Sequence, residues 1–217
     1  NATHEAISLS RRSAEAGADA LLLISPYYNK PEPAGMEAHY RAIADEVDIP
    51  QIIYNVPSRT GRNIAVETAE ALASHENIVG YKAASGDLGR ISEVARRTAD
   101  EDFSVLSGDD GLTLPIISVG GTGAISVTGN VEPQRVSDLV WSALDGDYDQ
   151  ARAVHRELAP LNDALFIETN PIPVKAAMEI RGYGPGTVRS PLSEIAPDNR
   201  EELEAVLASL EEPEATA

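Results

Sequence analysis

The chain has 217 residues, 42% of them hydrophobic, a net charge of −18 and no cysteine. That is enough apolar material for one domain with a core, and it excludes disulfides, thiolate catalysis and cysteine-held zinc. The acidic balance argues against nucleic acid and anionic lipid as partners, no apolar run approaches the ~20 residues of a membrane span, and a cytoplasmic protein fits.

Taken in order, Thr3–Ala16 reads as a helix with Ile7, Leu9 and Ala14 among charges and small residues. Leu21–Ser25 is the first of five short apolar runs, and Ser25-Pro26-Tyr27-Tyr28-Asn29 follows it. Gly35–Val47 carries Met36, Tyr40, Ile43 and Val47 at helical spacing, and Pro50 follows. The next runs are Gln51–Val56, Ile78–Ala83, Phe103–Gly108 and Gly123–Thr128, with helical stretches at Val66–Ser74 and Leu88–Thr98 between them. The runs are rich in Ile, Val and Leu and most are bounded by Gly, Pro, Asn or Asp, so they predict buried strands. After Thr128 the pattern is helical: Pro133–Leu144, Asp149–Phe166, Val174–Arg181 and Asn199–Leu210, broken at Gly182–Pro185 and followed by an acidic tail after Glu211. Asn170-Pro171-Ile172-Pro173-Val174-Lys175 predicts a rigid entry to a helix.

Strand alternating with helix means parallel strands joined by crossovers, either an open doubly wound sheet or a closed (β/α)8 barrel. The nearest phosphate-type loop, Gly120-Gly121-Thr122-Gly123, precedes a strand instead of following one, so it reads as a tight turn. The barrel is the expectation: an α/β chain with a partial barrel over 1–130 and a C-terminal helical region, 131–217, packed on it. A barrel needs eight strands and five are visible. Because the chain opens on Asn1, the first three strands, ~80 residues at this repeat length, are expected upstream.

Function in a barrel sits at the C-terminal ends of the strands. Lys82 ends Ile78-Val79-Gly80-Tyr81-Lys82, and alternation places Ile78, Gly80 and Lys82 on one face. If that face lines the lumen, desolvation lowers the amine's pKa and leaves a nucleophile able to form an imine with a ketone. The competing reading is a strand-end lysine that snorkels to water. Tyr54 ends Gln51-Ile52-Ile53-Tyr54 and reads either as a proton relay beside Lys82 or as a core tyrosine. Arg59, in the loop Pro57-Ser58-Arg59-Thr60-Gly61, suits a carboxylate or plain solvent. Tyr27 and Tyr28 read as site, loop-packing or oligomer residues. His4, His39, His75 and His155 lack metal-ligand spacing, and Asp109 and Asp110 read as loop and helix-capping residues. The basic residues are 14 Arg against three Lys (Lys30, Lys82, Lys175), and such an acidic, lysine-poor chain points to a salt-rich, halophilic host.

These segments together resemble the dihydrodipicolinate synthase family. The resemblance is carried by Ser25–Pro31, Tyr54–Gly61, Gly80-Tyr81-Lys82, Leu106–Asp110, Gly123–Val127 and Asn170–Lys175, in the family's order and near its spacing. It implies strands 4 to 8 of the family's barrel and a Schiff-base lyase that condenses pyruvate with L-aspartate 4-semialdehyde in lysine and diaminopimelate synthesis, without metal or organic cofactor. By the same resemblance Lys82 forms the imine with pyruvate and Tyr54 moves protons. Arg59 binds the semialdehyde carboxylate, Ile125 contacts pyruvate through its carbonyl, and Tyr28 reaches into a neighbouring subunit's site. It also implies a homotetramer built as a dimer of dimers, with Asn1, Glu5 and Tyr27 matching the ligands of an allosteric lysine pocket. Two departures stand out: the family's Gly-Thr-Thr-Gly-Glu segment is absent, being expected upstream, and Ala83 follows the lysine where many members carry an acid. The alternatives are a related 2-keto-3-deoxy sugar acid aldolase or N-acetylneuraminate lyase, and a non-catalytic keto-acid-binding barrel.

Overall fold

A computed structural model describes residues 1–210; the acidic tail after Glu211 lies outside the described residues. The chain forms two compact units, Asn1–Ile125 and Ser126–Ala217.

The first unit runs α1 (Thr3–Glu15), β1 (Leu21–Ile24), α2 (Pro33–Glu46), β2 (Gln51–Asn55), α3 (Pro57–Thr60), α4 (Val66–Ala73), β3 (Ile78–Ala83), α5 (Leu88–Arg97), β4 (Ser104–Ser107), α6 (Thr113–Ser118) and β5 (Gly123–Ala124). All four strand pairings are parallel and the order is β1-β2-β3-β4-β5, with no reversal. A doubly wound sheet reverses its order at a switch point, whereas sequential parallel neighbours joined by helices are consecutive units of a (β/α)8 barrel. One layer of core lies between the sheet and its helices: Ile53, Tyr81 and Val105 pack with Tyr40, Leu72, Ile91 and Val94. Full burial of each such aliphatic side chain contributes about 1.5–3 kcal/mol, and α5 buries Ile91, Val94 and Ala95 on one face behind an Asp87 cap that accepts the Arg90 N–H at 3.0 Å.

Three local expectations change. The last strand is two residues long, because the Ser126 hydroxyl accepts the Gly129 N–H at 2.7 Å and turns the chain into a 3-10 turn over 128–130. Arg59 sits in a helical turn, α3, rather than a loop; this turn and α6 are too short to show a period. Ile78 does not share a face with Lys82. The β2–β3 register slips between Gln51 and Ile52, which face Ile78 and Gly80, and Ile78 joins Tyr81 and Ala83 in the helix-side core.

The second unit is helical: α7 (Pro133–Leu144), α8 (Tyr148–Ala164), α9 (Ile172–Ile180) and α10 (Pro197–Ser209). Val131, Leu161, Leu165, Ala177, Leu203 and Leu207 form its core. Buried Thr128 donates to Asn162 at 2.7 Å, and Glu132 accepts from both Arg135 and Arg181 at 2.7 Å. The Pro171–Lys175 segment opens α9, with prolines where the first turn has no N–H partner to lose. Among the described residues no helix is long and apolar enough to cross a membrane.

Candidate active site

The site lies in the first unit, at the ends of β2, β3 and β4. Tyr54 and Lys82 are register partners on adjacent parallel strands, so their side chains leave the sheet on the same side. The Lys82 Nζ stands 4.3 Å from the centre of the Tyr54 ring. Both residues are half-buried. Burial lowers the Lys82 pKa, while the Asp110 carboxylate pulls it back up. Burial raises the Tyr54 pKa, and the nearby Arg59 charge opposes this. The pair is therefore an amine eased toward its neutral form beside a phenol held in its protonated form.

The Lys82 stem needs room on the neighbouring strand. A Cβ on Gly108 would fall 2.6 Å from the lysine Cε, 2.9 Å from its Cγ and 3.1 Å from the Ala83 carbonyl oxygen. The Gly108 N–H donates to that same carbonyl at 2.7 Å, so the backbone cannot retreat without losing the bond. Gly108 thus makes the channel in which Lys82 lies. Gly108→Ala is expected to cut kcat by about 100-fold, because even a displacement of ~1 Å is costly at a reacting atom. Stopped-flow turnover with circular dichroism as a fold control would check this, and wild-type kcat would contradict it.

Asp110 is buried at the mouth, in the turn after β4. Ser107 sets this turn: its hydroxyl donates to the Asp109 carbonyl at 2.7 Å and accepts from Thr113 at 3.2 Å. The negative charge of Asp110 favours the ammonium form of Lys82. Asp110→Asn removes that support, so the amine loses its proton at lower pH. The acid limb of kcat/KM against pH, which reports the free enzyme's amine, is then expected to move toward lower pH. A limb that stays in place or moves up would contradict this.

Arg59 is carried by α3, exposed at the rim. Its turn is pinned from beneath by buried Asn55, whose amide donates to Asn63 at 3.0 Å and whose carbonyl oxygen accepts the Ile64 N–H at 2.9 Å. The Thr60 hydroxyl closes the turn onto the Val56 and Arg62 carbonyls at 3.2 and 3.0 Å. Ile125 continues the last ladder, its N–H donating to Ser107 at 2.7 Å. Tyr28 stands apart: it is 89% exposed on a left-handed backbone with φ 67°. Asn1, Glu5 and Tyr27 are gathered in a cleft of about 340 Å³ against β1, where the Asn1 amide donates to the Tyr27 carbonyl at 3.3 Å. Among the described residues no group of three or more His, Asp or Glu side chains comes together as a metal site; His39 pairs with Thr3 and His75 with Asp45.

The sequence reading missed Gly108 and the role of Asp110. The signal lay in Leu106-Ser107-Gly108-Asp109-Asp110: a glycine at a strand end marks a close approach, and Lys82 is opposite Leu106 in the register.

The model of the dihydrodipicolinate synthetase family matches residues 1–210. The chain belongs to that family. Among its relatives is 4-hydroxy-tetrahydrodipicolinate synthase of Haloarcula marismortui, 64% identical over 97% of this chain and 69% of the relative. The Natronomonas pharaonis enzyme of the same name is 65% identical over 97% and 72%. Both come from halophilic archaea, in keeping with the acidic, lysine-poor composition. Among solved structures, dihydrodipicolinate synthase from Thermotoga maritima superposes with a TM-score of 0.95 at 39% identity, over 97% of this chain and 72% of that one. The Aquifex aeolicus enzyme gives 0.93 at 48% identity, over 96% and 71%. The expectation of an N-terminal truncation is not borne out by this comparison: the family match runs over residues 1–210, and the chain spans 69% and 72% of the length of the two archaeal relatives.

Proposed function

We propose that the protein is a Schiff-base lyase that condenses pyruvate with L-aspartate 4-semialdehyde to 4-hydroxy-tetrahydrodipicolinate. The observation that carries the mechanism is the pairing of a half-buried Lys82 amine with the Tyr54 ring at 4.3 Å. Membership of the synthase family supports the choice of substrates.

The neutral Lys82 amine attacks the pyruvate C2 carbonyl and water leaves, giving the imine. A proton lost from C3 makes the enamine, whose C3 bonds to the aldehyde carbon of the semialdehyde. The alkoxide takes up a proton, and the semialdehyde's own amine attacks C2, closing the ring and releasing Lys82. Tyr54 would exchange these protons; its phenol, whose pKa burial raises, is held protonated at neutral pH and lies beside the amine. Arg59 on the rim suits the semialdehyde carboxylate, which a guanidinium holds with two parallel bonds. Ile125 offers its carbonyl to pyruvate. The exposure of Tyr28 supports a role in a neighbouring subunit's site within a homotetramer. The Asn1, Glu5 and Tyr27 cleft would take lysine as a feedback inhibitor. As a step of amino-acid synthesis, the reaction belongs to the cytoplasm.

The test is a comparison of substrates with pyruvate present. Turnover of aspartate semialdehyde, with 2-keto-3-deoxygluconate left unchanged, is the expected result; the reverse preference would make the enzyme a sugar-acid aldolase. Borohydride added with pyruvate should leave a mass adduct on the peptide containing Lys82, which a non-catalytic binding barrel would not form.

A further inference from the structure

We infer that Lys30 is a positioning residue: its stem, together with the Glu32–Arg62 ion pair, clasps the turn that carries Arg59 and thereby sets the affinity for the aldehyde substrate. This rests on the role proposed for Arg59.

Two loops meet at the rim of the site. The loop after β1 holds Tyr28 and Lys30 at φ 67° and 47°, a left-handed backbone that residues with a Cβ keep only where their surroundings hold it. The loop after β2 is the α3 turn, closed by Gly61 at φ 78°. A Cβ on Gly61 would lie 2.5 Å from the Lys30 Cε and 3.3 Å from its Nζ. The lysine stem therefore lies across the bare α-carbon of the residue that caps the turn. One residue on, the Arg62 guanidinium makes two bonds to the Glu32 carboxylate, at 2.9 and 3.3 Å. The two contacts run side by side, 30 to 61 and 32 to 62, and join the same two loops.

Behind them, Asn55 anchors the far end of the turn at Asn63 and Ile64. Arg59 lies two residues before Gly61 on the same turn, so a shift of that turn carries its guanidinium with it. The ion pair is exposed, with Glu32 at 77%, and such pairs add little to global stability. The consequence of the clasp is expected in substrate affinity instead of in melting temperature. The apolar part of the lysine carries the contact, so a side chain of similar reach without charge should serve.

Lys30→Ala in the active enzyme is expected to raise KM for aspartate semialdehyde about five- to tenfold, with kcat within about twofold, as loss of uniform binding does. Lys30→Met should restore KM, and Glu32→Gln should act in the same direction as Lys30→Ala. Hydrogen exchange gives a readout independent of substrate. The Arg59, Thr60 and Gly61 amides, bonded to Val56, Val56 and Pro57 carbonyls at 2.9, 3.1 and 2.8 Å, should exchange faster in Lys30→Ala and not in Lys30→Met. A lysine-to-alanine variant with unchanged KM and unchanged exchange overturns the clasp, as does a methionine variant that behaves like alanine. Arg59→Ala separates the two readings: if it leaves KM unchanged, the role of Arg59 fails, while the exchange data still decide whether Lys30 holds the turn.

Discussion

Lys82→Arg is expected to abolish condensation, lowering the rate by ~10⁴-fold or more, while the protein folds as before. Arginine keeps the charge and nearly the length of the stem, and it can still lie over the Gly108 backbone and against the Tyr54 ring. What it cannot do is lose its proton: a guanidinium stays charged far above neutral pH, and burial of the kind that eases Lys82 toward the free amine has no such effect on it. The measurement is twofold, product formation with both substrates and mass analysis after borohydride with pyruvate. Turnover and adduct should vanish together. An adduct on another lysine, Lys30 or Lys175, or retention of turnover, would place the imine elsewhere.

Tyr54→Phe is expected to lower kcat by about 10²–10³-fold, within the range of a positioned proton donor and acceptor. The substitution is narrow. It retains the ring that the Lys82 amine faces at 4.3 Å and the packing around it, and it removes only the hydroxyl. Burial pushes that phenol's pKa upward and Arg59 draws it back, so the hydroxyl that the substitution removes is protonated at neutral pH. Borohydride trapping with pyruvate should still succeed in the variant, more slowly, because the nucleophile is intact. A kcat within twofold of wild type would make Tyr54 a packing residue.

The proximity of Lys82 and Tyr54 was legible because each is a polar residue closing an apolar run, and such residues on adjacent parallel strands end side by side. The barrel architecture was legible from the alternation of runs and helical stretches, and the sequential strand order of the fold agrees with it. What escaped depended on distances between segments far apart in the chain. Asp110 read as a helix cap, since nothing within its own segment shows that the turn after β4 brings its carboxylate near Lys82. Gly108 read as a boundary, because its neighbour across the sheet is set by register and not by spacing. The α3 turn has four residues, too few for any period to appear. The last strand read too long because Ile125, Ser126 and Val127 are apolar or small, while the hydroxyl of Ser126 ends it.

The uneven pairing at the start of β3 makes the number of residues in that strand matter as much as their kind. Between Ile78 and Gly80 the chain carries one residue more than β2 does opposite it, and this odd count carries Gly80 and Lys82 away from the helices. Removing Val79 would even the count, and either the Ile78 anchor or Lys82 would then have to change sides. A library of substitutions at position 79 should yield many active proteins, and a library of single deletions there should yield none.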